Sequence, residues 1–400
     1  MKEWCAEALW KFLFKLFSVG EYRMGKRNKI AALILAAGYS SRMVDFKTLL
    51  TLGGVKVIER VIHTFREAGI VDIVVVVGYR ADELIPILDD LKVRYVFNEN
   101  YDAGMFSSII RGVQSLPPET QGFFLLPGDI PLVKSHTIRL LIRAFRKVRA
   151  NVIYPVFQNR RGHPPLIGAL CFPEILSANQ TGGLRPILGK YENTAYDLEV
   201  LDEGVLLDLD TREEYQKMSA EYYRRDIPSQ AECDAILLRM NVPDLIVKHG
   251  RVVAEVSRRL AMRLNQVGLN IDVHAVVAAG KLHDLAKGQH DHARIGGRIL
   301  KKCGYYKVAQ IVAAHTDIEF REELPPDEAA VVYLADKLVK GDCIVSLHER
   351  FSGAMDKYIG NTEAVSAIIE RRLRAQKIEK SIEQLLGVSL TQVMIDPCYL

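Results

Sequence analysis

Between residues 30 and about 215, short unbroken apolar runs alternate with stretches whose apolar residues recur every three to four positions. The runs are IAALILAA (30–37), IVVVVG (73–78), VRYVF (93–97), GFFLLPG (122–128) and NVIYPVF (151–157). A continuous apolar run fits a strand covered on both faces. VIERVIHTFREAG (57–69) and SHTIRLLIRAFRKV (135–148) carry the helical period. This alternation predicts an α/β domain, a Rossmann-like and mostly parallel sheet with helices on both faces.

The pattern changes after DLDTREEYQKM (208–218). A polar stretch follows, and Ser229-Gln-Ala-Glu232 reads as a capping box opening a new helix. Beyond it, 229–239, 243–266, 271–287, 292–302, 306–315, 326–345 and 362–386 all have helical spacing, which predicts an all-α domain. The organisation expected is an N-terminal extension (1–27), the α/β domain (28–218), a linker (219–228) and a helical domain with a C-terminal helical extension (229–400). Residues 3–17 read as an amphipathic helix, and Met24 stands where a first domain would naturally start. Residues 1–23 are therefore expected to be a docking helix or a start-site extension.

The chain has 400 residues, 49% hydrophobic and 26% charged, which suits two globular domains. A net charge of +4 is too small to argue for nucleic acid as a partner. The six cysteines are scattered without a C-x-x-C pair, so neither a disulfide framework nor a thiolate zinc site is expected, and a reducing cytoplasm fits best. No apolar run reaches the roughly 18 residues a membrane span needs.

The first chemistry follows strand one. Gly38, Ser40 and Ser41 are small enough for backbone N–H groups to approach phosphate oxygens, and Arg42 and Lys47 supply positive charge. Asp129, in PGDIP, falls at the C-terminal end of a buried strand, where open α/β sheets bind ligands, and is the principal Mg²⁺ candidate. Asp208 and Asp210 compete for the place of a second acid, because Mg²⁺ takes one or two carboxylates besides phosphate. His163 either binds an acceptor or orders a turn.

These segments, taken in order, resemble the molybdenum cofactor nucleotidylyltransferase-like family over about 190 residues. The motifs are LAAGYSSRM with Lys47, NENYDAGMFSSI (98–109), PGDIP, RGHPP (161–165), GGLR (182–185) and DLDT (208–211). The resemblance implies that Leu35, Ala36, Ala37, Gly38, Ser40 and Ser41 hold a triphosphate, and that Gly78, Gly104, Ser107 and Ser108 hold base and ribose. It implies that Gly128 lines the nucleotide site, that Asp129 holds the metal with Asp208 as a second metal residue, and that His163 and Arg185 receive the acceptor. LAAG, as opposed to LAGG, together with Gly128, resembles the cytidylyl-transferring branch, which favours CTP. Val44 departs from the pattern, standing where the family usually has Gly. The acceptor implied is a phosphomonoester such as molybdopterin, and a molybdoenzyme or its chaperone is the protein partner implied. A sugar phosphate or phosphocholine acceptor would leave these motifs nearly unchanged.

The second chemistry is a histidine and aspartate set on apolar-patterned helices: His249, His283, Asp284, His292, His315 and Asp336. His283 and Asp284 stand adjacent among Leu282, Leu285 and Ala286, where polar groups need partners. The order H…HD…D with two intervening histidines resembles the HD superfamily of metal-dependent phosphohydrolases over roughly residues 229–345. The resemblance implies a first metal on His249, His283, Asp284 and Asp336, with Asp284 bridging to a second on His292 and His315. All-N/O ligation suits Fe, Mn, Co, Ni or Zn. His290 reads as spare; Lys287 and Arg294 stand near the cluster and either bind a substrate phosphate or, the reading favoured for exposed basic residues on helices, are simply solvated. A helical half that senses a nucleotide without cleaving it is the competing reading, and a pure interaction protein leaves both constellations unexplained.

Overall fold

The computed structural model describes residues 29–39, 46–178, 182–358 and 360–395. The expected amphipathic N-terminal helix, and the loop residues Ser40, Ser41, Arg42 and Val44, lie outside these. The described residues form two compact units that meet in sequence between Arg225 and Asp226.

The first unit is built on one mixed sheet. Its strands are β1 (Ile30–Ala36), β4 (Ile73–Val77), β5 (Arg94–Phe97), β6 (Gly122–Pro127), β7 (Val152–Phe157), β8 (Arg160–Arg161), β9 (Leu166–Gly168) and β10 (Tyr196–Glu199); β2 (Thr51–Leu52) and β3 (Val55–Lys56) make a separate hairpin. The spatial order is β10-β7-β9-β6-β1-β4-β5, with β8 on the edge of β7. All contacts among β6, β1, β4 and β5 are parallel, and only β8 and β9 run antiparallel to their neighbours. β1 and β4 are almost wholly buried, as their unbroken apolar runs predict.

Helices α1 (Val57–Glu67), α2 (Ala81–Asp90), α3 (Met105–Gln114), α4 (Ser135–Lys147), α5 (Phe172–Ser177), α6 (Arg185–Gly189) and α7 (Arg212–Tyr222) complete this unit. α1 buries Val57, Ile58, Val61, Ile62 and Phe65, one stripe at helical spacing. Residues 219–222, expected as linker, instead continue α7. The reason is burial: Met218 and Tyr222 pack with Leu52, Val57 and Leu209 in a second core.

The second unit is helical apart from one hairpin. α8 (Gln230–Arg239), α9 (Asp244–Gln266), α10 (Val273–Leu282), α11 (His292–Lys302), α12 (Tyr306–Ala314) and α13 (Glu328–Lys337) precede β11 (Val339–Lys340) and β12 (Cys343–Ile344). α14 (Leu347–Lys357), α15 (Thr362–Leu386) and α16 (Leu390–Ile395) follow. The capping box at Ser229 is present: its hydroxyl accepts from the Glu232 amide at 3.1 Å and Glu232 accepts from the Ser229 amide at 2.9 Å. Two expected helices are shorter than their apolar pattern. α10 stops at Leu282, and the run expected to 345 ends at Lys337, where the β11–β12 hairpin turns at Gly341 with φ +64°.

α10 sits at the centre, packed against α9, α12 and α13. Glycines permit the close crossing. A Cβ on Gly280 would lie 2.7 Å from the Ala254 Cα, and one on Gly250 would lie 2.7 Å from the Lys281 carbonyl oxygen. Backbone cannot yield as a flexible side chain can, so Gly280→Ala is expected to lower stability by about 1–3 kcal/mol through overpacking. A thermal melt of the variant that matches the parent would count against this crossing.

Candidate functional site

The first constellation lies at the C-terminal ends of β1 and β6. These strands are parallel neighbours with Leu35 beside Pro127, and the Gly128 amide donates to the Leu35 carbonyl at 2.8 Å. The chain leaving β1 runs on to β4 on one side, whereas β6 lies on the other. Such a reversal leaves a crevice outside the strand ends, the place where open α/β sheets bind ligands. Gly128 is tight here: a Cβ would stand 3.1 Å from the Leu35 oxygen.

Lys47, buried at the start of a short 3₁₀ turn, joins this crevice to the segment before α7. Its ammonium donates to Asp210 Oδ1 at 2.7 Å and lies 3.4 Å from Asp129 Oδ2. Of the two competing acids, Asp210 is thus the one paired with Lys47. Thr211, not Asp210, caps α7, its hydroxyl accepting from the Glu214 amide at 3.2 Å. Asp208 is exposed and near enough to Asp129 to raise its pKa. Burial is the main cause of that rise, and Lys47 opposes it.

His163 belongs to the same group. Burial holds its pKa below the usual imidazole value, against the pull of Asp129 and Asp208, and its Nδ1 is buried without a hydrogen-bond partner. Arg161 fixes the loop from outside, bonding Glu192 and Asp197 and stacking 4.3 Å above the centre of the Tyr154 ring. Arg185 is different: it opens α6 exposed, and no contact among the described residues joins it to His163 or Asp129.

Ser107 and Ser108 are also placed otherwise than as direct ligand contacts. Both are buried and accept from the Asn98 amide group at 2.8 and 3.0 Å, and Ser107 donates to the Asn100 and Gly104 carbonyls. They shape the loop around Gly104, whose φ of +94° favours glycine. Leu35, Ala36 and Ala37 offer only backbone, and Gly38 has open space beside it. Gly78 is crowded, since a Cβ there would meet Tyr101 at 2.7 Å and Ala37 at 2.9 Å.

One feature of this crevice has no counterpart among the sequence expectations. Tyr39 and Tyr79 follow the strand-end glycines Gly38 and Gly78, and their rings meet at 4.9 Å, with Tyr101 5.4 Å from Tyr39. Tyr39 is half exposed. The available signal was the repeated Gly-Tyr at two strand ends.

The second constellation is assembled from helix ends. His283 caps the C-terminus of α10 and Asp284 follows it; His292 opens α11, His315 caps α12, and Asp336 lies in the last turn of α13. A helix C-terminus leaves its last carbonyls without intrahelical donors. His283 Nδ1–H donates to the Gly280 carbonyl and His315 Nδ1–H to the Val312 carbonyl, each at 2.7 Å. From inside α9, His249 Nδ1–H donates to the Gly341 carbonyl of the hairpin turn at 2.8 Å. A carbonyl only accepts, so each bond places a proton on Nδ1 and, in the neutral imidazole that binds a metal, leaves Nε2 as a lone pair.

Those lone pairs face carboxylates. Asp336 Oδ1 lies 3.1 Å from His249 Nε2 and 3.5 Å from His283 Nε2. Asp284 Oδ1 lies 3.1 Å from His292 Nε2 and 3.4 Å from His315 Nε2, and Asp284 Oδ2 lies 3.4 Å from His283 Nε2. His283 Nε2, Asp284 Oδ1 and His292 Nε2 are buried without a hydrogen-bond partner. Acceptors facing acceptors in the interior are costly unless a cation lies between them.

The residues therefore fit a divalent metal. His249, His283 and Asp336 form one group and His283, Asp284 and His315 a second, each with its ligand atoms within 4.8 Å of one another. The same carboxylates attract a proton as they would a metal: burial pushes His283 down, yet Asp284 and Asp336 outweigh it and raise the imidazole to about 9. Burial likewise opposes ionisation of Asp284 and Asp336, but the imidazoles beside Asp284, and Lys337 and His249 beside Asp336, hold both carboxyls below the usual range. His315 is pushed down by burial. The chain thus gathers all six expected residues into one centre.

Three further groups belong to it. Lys337, buried, donates to Asp336 Oδ2 at 2.5 Å and to the His315 carbonyl at 3.3 Å. The Gly341 carbonyl orients His249. Lys287, expected to be solvated, pairs with Asp284 Oδ2 at 2.8 Å, because the turn after α10 brings it back beside the carboxylate. Arg294 remains exposed, 3.8 Å from Asp291.

Comparison with known proteins agrees with this division. Residues 32–195 match the family model of the MobA-like NTP transferase domain, and residues 246–341 match that of the HD domain. The chain is 33% identical over 139 residues to the bifunctional protein GlmU of Syntrophomonas wolfei subsp. wolfei, covering 34% of this chain and 30% of that protein. It is 29% identical over 187 residues to the tRNA (cytidine(56)-2'-O)-methyltransferase of Picrophilus torridus, covering 42% of this chain and 51% of that one. The chain thus spans only 30% and 51% of the length of these two curated relatives. Among solved structures, a nucleotidyl transferase from Methanothermobacter thermautotroptrophicus is 26% identical, with a TM-score of 0.44 over 50% of this chain and 99% of that one. Molybdopterin-guanine dinucleotide biosynthesis protein A from Archaeoglobus fulgidus is 14% identical, with a TM-score of 0.40 over 48% of this chain and 99% of that one.

Proposed function

Because the chain carries a MobA-like NTP transferase domain followed by an HD domain, we propose a bifunctional enzyme that transfers a nucleotidyl group and hydrolyses a phosphoester. The first reaction takes a nucleoside triphosphate, with CTP favoured, and a phosphomonoester acceptor such as molybdopterin. The acceptor's phosphate oxygen attacks the α-phosphorus, and pyrophosphate leaves. Positioning and charge stabilisation carry most of the catalysis in such transfers.

The observation that supports the transferase reading is the group Lys47, Asp129, Asp210 and His163 at the strand ends. Asp129, with Asp208 beside it, would hold Mg²⁺, and the metal would supply charge to the phosphate oxygens. Lys47, fixed by Asp210, places a cation at the same oxygens. The rings of Tyr39 and Tyr79 offer a stacking surface for the base. His163, held neutral by its burial, is suited to hydrogen-bond the acceptor without repelling a cation.

In the helical domain, the buried Nε2 atoms facing two carboxylates support a metal-dependent phosphohydrolase. His249, His283, Asp284 and Asp336 would hold one divalent ion, and Asp284, His292 and His315 a second. Such ions supply Lewis-acid charge to phosphate oxygens and to the attacking water. The chain's own contribution is orientation: Gly280, Val312 and Gly341 carbonyls fix three imidazoles, and Lys337 fixes Asp336.

Incubation of the full chain with Mg²⁺, molybdopterin and each of CTP, GTP, ATP and UTP, followed by pyrophosphate measurement, tests the transferase half. CTP is expected to give the fastest release. Absence of pyrophosphate with every nucleotide and with sugar phosphate and phosphocholine acceptors would sink nucleotidyl transfer itself.

A further inference from the structure

The net charge of +4 is a sum, and a sum hides where the charges stand. Residues 134–149 hold Lys134, Arg139, Arg143, Arg146, Lys147 and Arg149 without one Asp or Glu. Most of this segment is α4, whose inward face is apolar. Ile138, Leu141 and Ile142 are buried, and Phe145 packs so closely that a Cβ on Gly122 would lie 3.1 Å from its ring. Arg139, Arg143, Arg146 and Lys147 follow at steps of three and four residues, so they form one stripe along the outward face.

Among the described residues nothing neutralises this stripe. Arg143, Arg146, Lys147 and Arg149 have no ion pair or hydrogen bond there, and Arg139 donates only to the Glu67 carbonyl, at 2.9 Å. A neighbour registers the field: burial first, and then Arg139, Arg143 and Lys134, push the His136 imidazole down to about 4. A helix C-terminus favours cations in its last turn, which accounts for Arg146 and Lys147. It does not account for Arg139 and Arg143, which stand before that turn. None of these residues belongs to either candidate site.

We propose that the stripe is a docking surface for the phosphate backbone of a nucleic acid duplex, held by charge and blind to base sequence. The side chains choose among the anionic partners that such a stripe attracts. A protein interface centres on buried aromatic or aliphatic anchors, and a membrane-surface helix inserts apolar side chains, yet no large hydrophobic residue of α4 is exposed. A single strand is gripped by rings that stack on its unpaired bases. Phe145, the only Phe, Tyr or Trp of the segment, faces the sheet. A duplex asks for neither, because it carries one charge per about 1.7 Å of its axis and is held by Lys and Arg as they displace its counterions. From Arg139 to Lys147 the stripe runs about 12 Å, enough to meet several phosphates.

The test titrates the full chain with a fluorescent DNA duplex of about two helical turns and mixed sequence, at several salt concentrations. The parent is expected to bind with a dissociation constant of about 10⁻⁴ to 10⁻⁶ M at physiological salt, and log affinity is expected to fall against log salt with a slope of about −3 or steeper. A chain carrying Arg143→Gln and Arg146→Gln loses two charges that no described residue pairs with, so its melt should match the parent's. Its slope is expected to be shallower by about 2, which weakens binding about 100-fold at about 0.05 M salt. Lys at both positions keeps the charge and is expected to bind within about threefold of the parent. No duplex binding by the parent at low salt, parental binding by the Gln variant, or a Lys variant as weak as the Gln variant overturns the proposal. So does equal affinity for a single strand of the same sequence, for polyglutamate or for phosphatidylserine vesicles, the first marking a base-stacking surface, the second a protein partner and the third a membrane.

Discussion

A chain carrying both His283→Ala and Asp284→Ala is expected to lose its bound divalent metal and its metal-dependent phosphoester hydrolysis together. His283 Nε2 faces both carboxylates and belongs to both candidate ligand groups, and Asp284, which faces three imidazoles, belongs to the second. Loss of a single partner behind a ligand typically costs about 10- to 100-fold in metal affinity. Removal of two ligands is expected to exceed about 100-fold. Metal content of the purified protein and a screen of nucleoside phosphates and cyclic phosphodiesters read the result. A double variant that retains the parent's metal would mean that these residues hold none.

Stability offers an independent readout of the same change. A ligand present at about 100 times its dissociation constant stabilises the folded state by about 2.7 kcal/mol. The parent is therefore expected to melt several degrees higher with Mn²⁺ than with a chelator. In the double variant the difference should vanish. The baseline moves too: the carboxylate of Asp284 and the imidazole of His283 are both buried, and replacing both avoids leaving either one orphaned.

The sequence made the centre of each unit legible and its edges illegible, for a physical reason. β1, β4 and β6 are covered on both faces and so print an unbroken apolar run, whereas β8, β9 and β10 span two to four residues, too few for a period to show. α2 was hidden by Pro86, and α14 and α16 carry no expected counterpart because α14 has few apolar positions and α16 spans only six residues, too short for a period to show. α10 and α13 end earlier than their apolar patterns suggest, because burial continues after helix geometry stops: Leu285, Ala286, Leu338 and Val339 are buried outside any helix.

The same distinction runs through the sites. Residue type announced the six metal-centre residues, since adjacent His and Asp among leucines demand partners. What orients them is mostly backbone, and the carbonyls of Gly280, Val312 and Gly341 have no letter of their own in a sequence. Lys287 illustrates the converse. Its spacing three residues after Asp284 reads as an exposed helical charge, yet the chain there has left the helix and the ion pair is a property of the turn. In the α/β unit, DLDT left Asp208 and Asp210 equivalent, and the pairing of Asp210 with Lys47 separated them.

Asp129→Asn should abolish nucleotidyl transfer while leaving the fold intact or slightly more stable. The carboxylate sits at the end of β6, its side chain 24% exposed, with Lys47 3.4 Å away. Burial raises its pKa, which means that the folded chain disfavours this charge despite the lysine. A carboxyl kept where its charge is disfavoured is a place to look for use of that charge, since stability alone would be served as well by the amide. Asn keeps the shape and one acceptor but removes the charge that would hold Mg²⁺ against the triphosphate. The expected loss in transfer rate is at least about 10³-fold, or roughly 4 kcal/mol of transition-state stabilisation. Lys47 retains Asp210 at 2.7 Å, so the crevice should keep its form, and a melt no lower than the parent's would show it. Transfer within about tenfold of the parent would remove Asp129 from the metal site and pass that place to Asp208.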